Sequence, residues 1–416
     1  MRFLFVSHVP PYPTNSGGRQ RSRFIIDALR LHGEVDILLL RNPYNEDLAS
    51  DQNPTCEKDR TEIDHYAPHW SFDEPDLTKT APFRMLRKFL GQHAAHAIAY
   101  HFDGGRRHLK PHPPLQTEVA QSVDHSAYDW IVARYVRGVA SCGLLSTGKV
   151  LLDLDDYAPD LLKARIPTVD PMTRTTLRRI LRHTEVALPD IFRQCRSIWI
   201  SNAGDRRHPG LSDAIVLPNL AFLPKGIPTY VPPPQDTSII LAVGTWTYSA
   251  NREGIAAFVR QCWDEILRQH PKAILRIVGK GSEELPEFTR QAKQVELIGF
   301  APDLALHYRD ARFFLAPIRF GGGTNIKVLE GAAYGRTGVL TPIAFRGYAN
   351  SFPDPPPFRI ATNPRETILH CLELLKTPDL AEDLGCQARL GYLHAFSLDR
   401  FHEAIRGGIP SLRSPS

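Results

Sequence analysis

Paired cysteines are missing from this chain. It has 416 residues and six cysteines, at 56, 142, 195, 262, 371 and 386, and no two of them form a Cys-x-x-Cys pair. That spacing offers neither a zinc knuckle nor a disulfide framework, so reduced, mostly buried thiols in a cytoplasmic protein are expected. Long apolar runs are missing too. No stretch reaches the roughly 18 residues a membrane-spanning helix needs. The apolar run within residues 1–8 is too short for a signal peptide and lacks a small-residue cleavage site. The expectation is a soluble or at most peripheral protein. Nor is there much excess charge: 50 basic against 45 acidic residues leave a formal +5. No basic stripe gathers that surplus, which argues against a nucleic-acid partner. It suits an anionic small ligand or an anionic lipid surface.

What is present is an α/β rhythm, stated twice. A chain of this length exceeds one core, and two domains are the first expectation. Residues 2–8 read as a buried strand, followed by a loop with Gly17 and Gly18, then a helical pattern with Phe24, Ile25, Ala28 and Leu29 on one face. Val35–Leu40 is the next strand, so the opening is a βαβ unit and implies a parallel sheet. Further strands are expected at 130–133, 150–153 and 197–200. Between about 44 and 125 the pattern breaks down into Pro- and His-rich sequence. One amphipathic piece, Phe83–Leu90, reads either as a helix packed on the sheet or as a basic helix lying on a membrane or facing an acceptor. His93, His96, His101 and His108 have no coherent ligand spacing. A Pro-rich polar segment over 224–237 reads as a linker. The rhythm then restarts, with strands at 238–244, 274–279, 295–299, 313–316 and 337–341. A helix between the first two carries Ile255, Phe258, Val259, Cys262 and Ile266. The expected architecture is two Rossmann-like doubly wound domains facing a cleft: 1–223, a linker 224–237, 238–395, and a final helix and tail over 396–416.

Ligands of such sheets bind beyond the carboxyl ends of the strands. The most informative loop follows the 313–316 strand and contains Gly321, Gly322, Gly323, Thr324 and Asn325 before a helix with Lys327 and Glu330. Glycines let backbone approach a ligand, and Thr324 is a suitable N-cap. The helix N-terminus would face a diphosphate, with Lys327 neutralising its charge and Glu330 accepting from ribose hydroxyls. A Gly-rich turn before a purely structural helix is the plainer alternative.

With these residues in place, the second half resembles the nucleotide-sugar domain of glycosyltransferase family 4, the retaining GT-B enzymes. Within it the chain is similar to the subgroup with a GGGT-x-x-K-x-x-E motif. Supporting segments are Val243-Gly244-Thr245, Asn251–Gly254, Ile277–Gly281, Val295–Phe300 and Gly335-Arg336. The resemblance spans about 238–395 and is looser over 1–220. It implies a nucleoside-diphosphate-sugar donor, no required metal or other cofactor, and a glycan or lipid-linked acceptor. It further implies retention at the anomeric carbon, a role in polysaccharide or glycoconjugate synthesis, and a peripheral contact with an anionic membrane at the cytoplasmic face. Donor contacts carried over are Gly17, Gly18, Gly244, Thr245, Asn251, Gly299, Gly322, Gly323, Thr324 and Asn325. Lys327, Glu330 and Asp155 are the expected catalytic groups. Glu330 matches the second glutamate of the family's Glu-x7-Glu motif; the first falls at Gly322 and is missing. So is an Arg and Lys pair near the start of the second domain, where Gly244–Thr247 stand.

Relatives often carry His-Asp where this chain has Asp155, flanked by Asp153 and Asp156. Acidic groups there could orient sugar hydroxyls or take the acceptor proton. A solvated acidic loop and a metal site built from the three aspartates are the alternatives. His8, Arg19 and Arg134 are expected on the same rim as acceptor or phosphate contacts. Two other functions stay open, a donor-binding protein without turnover and a sugar-nucleotide epimerase.

Overall fold

The structure, a computed structural model, describes residues 1–12, 17–40, 65–67, 85, 109–111, 113–221, 223, 225–321 and 324–412. Cys56, the Phe83–Leu90 segment apart from Met85, the four histidines between 93 and 108, Gly322 and Gly323 lie outside these residues. Two compact units are formed, Met1–Leu217 with Phe401–Ser416, and Pro218–Arg400.

In the first unit, seven strands make one sheet: β1 Arg2–Ser7, β2 Glu34–Leu40, β3 His65–Ala67, β4 Trp130–Arg134, β5 Val150–Asp155, β6 Ser197–Ile200 and β7 Ile215–Val216. Their order is β3-β2-β1-β4-β5-β6-β7, and every pairing is parallel. Parallel strands covered by helices are apolar on both faces, which is why Phe3–Val6 and Ile37–Leu40 read as continuous hydrophobic runs and are buried throughout. Leu4, Val6, Ile131 and Leu152 share a core with Val139 and Leu188 of the flanking helices. The C-terminal segment joins this unit: Phe401 lies 6.0 Å from the Phe24 ring, Ile405 is buried, and Gly408 sits against the Trp199 indole, where a Cβ would come within 2.1 Å of Nε1.

The second unit holds six strands, β8 Ile239–Val243, β9 Ile274–Val278, β10 Val295–Gly299, β11 Phe313–Ala316, β12 Gly338–Leu340 and β13 Arg359–Ile360, in the order β10-β9-β8-β11-β12-β13. All pairings are again parallel. The strand order reverses between β1 and β4 in one sheet and between β8 and β11 in the other. A crevice for a ligand opens at such points, beyond the carboxyl ends of the strands.

Two local expectations differ from the structure. The helix expected through Ile255–Ile266 is helical over Ser249–Phe258 and Asp264–Gln269, with a π turn at Val259–Trp263 between them. The wider turn carries Trp263 into the core, where its Nε1 donates to the Lys293 carbonyl at 2.8 Å. The Pro-rich segment read as a linker lies within the second unit and is tied down by arginines. Arg312 donates to the carbonyls of Gln235 and Thr237, Arg336 to that of Val231, and Arg389 to that of Pro228. Its prolines have no N–H to offer, but their carbonyls remain available acceptors. Among the described residues, no helix is long and apolar enough to cross a membrane.

Candidate functional site

In the second unit, glycines occupy the carboxyl edge of the sheet. Gly244 follows β8, Gly279 follows β9, and Gly299 ends β10. The Gly244 N–H donates to the Val278 carbonyl at 3.1 Å and the Gly279 N–H to the Gly299 carbonyl at 2.7 Å, so the three strand ends stay joined past their last ladder bonds. Gly279 has φ +132, and a Cβ there would lie 1.9 Å from the Gly244 oxygen. Any side chain at that position would push β8 and β9 apart.

The helix Ile326–Ala333 starts beside this edge, after β11. Its first-turn N–H groups have no partner inside the helix, and its dipole places partial positive charge at that end. Lys327 donates from Nζ to Asn251 Oδ1 at 2.7 Å, and Asn251 donates from Nδ2 to the Thr245 carbonyl at 2.9 Å. A Cβ on Gly244 would approach Asn251 Nδ2 to 3.0 Å and Lys327 Nζ to 3.3 Å. Gly244, Thr245, Asn251 and Lys327 therefore form one contiguous group. Burial pushes the Lys327 ammonium down to about 8 against the opposing pull of Glu330. One turn on, Glu330 is buried and accepts from Tyr308 Oη at 3.3 Å. Desolvation raises its carboxyl to about 7, outweighing the Tyr308 hydrogen bond and the Lys327 charge. Tyr308 is fully buried and stacks on Tyr334 with ring centroids 4.9 Å apart at 8°. Neither tyrosine carries a sequence motif; they are found only because the helix before β11 faces the one after it.

The cap expected at Thr324 is not formed. Asn325 occupies the N-cap position, without a side-chain cap bond. Thr324 Oγ1 instead accepts from Asn219 Nδ2 at 2.6 Å, and Asn325 Nδ2 faces the Ile343 and Ala344 carbonyls at 3.5 and 3.4 Å. The cap side chains are thus spent on neighbouring loops, and of the first-turn N–H groups Val328 donates to the Asn325 carbonyl at 2.9 Å.

In the first unit, Asp153 and Asp155 stand at the end of β5 and are buried rather than solvated, while Asp156 after the strand is partly buried. Asp153 is fully buried between two guanidiniums, Arg21 Nη2 at 2.7 Å and Arg134 Nε at 3.1 Å. Asp155 accepts from Arg134 Nη2 at 2.8 Å and Tyr135 Oη at 3.2 Å, with Arg21 Nε 3.6 Å away. Two guanidiniums and a phenol thus face Asp155. Asp155 is placed in a buried ionic cluster with Arg21, Arg134 and Tyr135. Arg134 is no phosphate contact: it is fully buried, with a further bond to the Gly18 carbonyl at 2.8 Å. His8 is held neutral, pushed down to about 4 by burial and by Arg134 and Arg137, so it cannot serve as a cation. Arg19 donates to the Tyr12 carbonyl at 2.8 Å. Tyr135 at φ 61 and Asp155 at φ 56 both stand in the left-handed region, uncommon for residues with a Cβ and found where the surroundings over-determine the backbone. Gly17 and Gly18 open the helix Gly17–Arg30. A Cβ on Gly18 would find only ordinary contacts, Val9 at 3.5 Å and Tyr135 Oη at 3.6 Å.

Residues 237–375 match the family model described as glycosyl transferases group 1. No curated protein matches the sequence. Among solved structures, the chain is similar to sucrose-phosphate synthase from Thermosynechococcus elongatus at 15% identity and TM-score 0.62, covering 97% of this chain and 96% of that one. It is similar to Anabaena Alr3699/HepE in complex with UDP and glucose at 11% identity and TM-score 0.61, covering 99% and 100%. A variant of S. aureus TarM in complex with fondaparinux, alpha-GlcNAc-glycerol and UDP follows at 9% identity and TM-score 0.60, covering 98% and 99%. These likenesses establish two Rossmann-like domains of the GT-B fold. The segment similar to glycosyl transferases group 1 lies within the second unit, and the chain is an enzyme of the glycosyltransferase class.

Proposed function

We propose that the chain transfers a sugar from a nucleoside-diphosphate-sugar donor to a glycan or lipid-linked acceptor. The observation that carries this reading is the Gly244–Asn251–Lys327 group at a helix N-terminus, with buried Glu330 one turn away. In this reading the diphosphate lies against the N–H groups of the first turn and the Lys327 ammonium. Glu330 meets a ribose hydroxyl. As the anomeric C–O bond breaks, charge grows on the departing diphosphate, and preorganised donors stabilise it most at that point. The acceptor hydroxyl oxygen forms the new bond and its proton leaves with the diphosphate. No metal is required for this step.

The finer assignment is to family 4 and its GGGT-x-x-K-x-x-E subgroup, with retention of anomeric configuration. The setting is polysaccharide or glycoconjugate synthesis in the cytoplasm, with a peripheral contact at an anionic membrane. Two related proteins solved with UDP support the donor class. Gly17 and Gly18 stay in the reading as donor contacts, because Gly18 tolerates a Cβ within the fold and so needs another reason to be glycine.

The test is a thermal-shift panel of nucleoside diphosphates and nucleotide sugars on the full chain, followed by product analysis. A ligand at a hundredfold excess over Kd stabilises by about 2.7 kcal/mol. One nucleotide series should raise the Tm, and Lys327→Ala and Glu330→Ala should reduce that rise and abolish turnover. Absence of any nucleotide effect would overturn the proposal. Binding without hydrolysis or transfer would leave a donor-binding protein, and interconversion of nucleotide sugars without an acceptor would identify an epimerase.

A further inference from the structure

Two short segments leave the carboxyl edge of the first sheet from the neighbouring strands β5 and β6: the helix Ala158–Arg165 and the 3-10 turn Ala203–Arg207. Asp160 stands in the first turn of the helix. Side chains three apart eclipse in a 3-10 turn, which aligns Asp205 with His208 at the turn's end. One ligand atom each from Asp160, Asp205 and His208 lies within 4.8 Å of the other two. His208 Nε2 is 3.2 Å from Asp160 Oδ2. Its ring is stacked on Tyr157 with centroids 3.7 Å apart at 15°, which fixes the imidazole plane. Asn202 holds the turn from the other side, accepting from the Gly204 N–H at 2.9 Å and facing Asp205 Oδ1 with Nδ2 at 3.4 Å. His208 and Asp205 thus each have a neighbour that orients them, as ligands of metal sites do.

We propose that Asp160, Asp205 and His208 form a site for a divalent transition-metal ion, Zn²⁺ or Mn²⁺, in the first unit. Two carboxylates within this reach repel each other, and a divalent ion between them turns repulsion into attraction. The imidazole selects against Mg²⁺ and Ca²⁺, which prefer oxygen ligands throughout. Tetrahedral coordination at about 2.1 Å places ligand atoms about 3.4 Å apart. The Asp160–His208 pair already stands at 3.2 Å. The widest separation is within 4.8 Å. Arg207 reaches Asp160 Oδ2 at 2.7 Å from an exposed position and competes with the ion for it. Three protein ligands leave one position for water or an oxygen ligand. The ion would also join the segments that follow β5 and β6. Lys327 and Glu330, which carry the donor reading, belong to the second unit and the three ligands to the first, so this proposal and the donor reading fail separately.

The experiment uses the untagged full chain, stripped with a chelator and titrated with ZnCl₂ or MnCl₂ alone, followed by calorimetric titration and Tm. Saturable uptake of one equivalent with a rise in Tm is expected. Asp205→Asn and His208→Gln should each weaken it at least tenfold. Arg207→Gln removes the competitor without removing a ligand and should tighten it several-fold, a response that a mere Asp–Arg–His ion-pair cluster would not give. No one-equivalent uptake by the unaltered chain, or equal uptake by a folded Asp205→Asn chain, overturns the site. If the ligand variants fail to fold, an unchanged Kd in Arg207→Gln does so. Nucleotide binding read in the same samples separates the two proposals.

Discussion

Lys327 and Glu330 are two titratable groups drawn toward neutrality from opposite sides. The folded Lys327 releases its proton near 8, whereas an unfolded one keeps it to about 10.5. Between those values the unfolded chain binds more protons, so this group makes stability rise with pH. Folded Glu330 keeps its proton to about 7 and an unfolded one to about 4.5. Its contribution is therefore complete below about 4.5 and lost as pH rises through about 7. The ligand-free protein should be least favoured by this pair between about 7 and 8. Glu330→Gln, which keeps an acceptor for Tyr308, should then stabilise the free chain at pH 8 by on the order of 1–3 kcal/mol while weakening nucleotide binding. Denaturant melts at pH 5 and pH 8 check this; an equal effect at both would count against it. Diphosphate affinity should fall as pH passes about 8 and Lys327 discharges, and Lys327→Met should remove that step.

At the scale of elements, the strand ends decide what the site tolerates. Gly279→Ala places a methyl 1.9 Å from the Gly244 oxygen at φ +132. We expect a loss of at least about 3 kcal/mol or failure to fold, because overpacking and left-handed strain add. Gly18→Ala meets only ordinary contacts and should leave the Tm within about 2 °C, a shift below that of 1 kcal/mol. A fall in transfer rate with unchanged Tm would therefore report ligand contact at Gly18. The elements themselves were largely legible: β1, β2 and β8 carry the unbroken apolar runs Phe3–Val6, Ile37–Leu40 and Ile239–Val243, as parallel strands covered on both faces do. The π turn at Val259–Trp263 was not, since Cys262 and Ile266 fit an uninterrupted helix equally well. Only the packing of Trp263 shows where the extra residue goes.

At the scale of the whole molecule, a buried ionic cluster holds the first unit. Arg21 comes from the helix after β1, Arg134 from β4, and Asp153 and Asp155 from β5. Arg21 also donates to the Leu217 carbonyl at 3.0 Å. Removing one member leaves an uncompensated buried charge, typically at a cost of about 3–5 kcal/mol. Arg21→Met should lower the melting transition of the first unit while nucleotide binding still stabilises the second. Calorimetry with and without nucleotide separates the two.

The sequence by itself determined the two α/β repeats, their parallel sheets and the loop before Lys327 and Glu330, because hydrophobic period and glycine placement are local properties of the chain. The resemblance carried by that loop named the donor class. Tertiary structure alone decided what each charged residue does. Asp155 and Arg134 read as exposed chemistry until folding paired them in the interior, and Asp160, Asp205 and His208 carried no signal until two loops met. Pairing depends on which strand ends become neighbours, and strand order is not written in any local pattern.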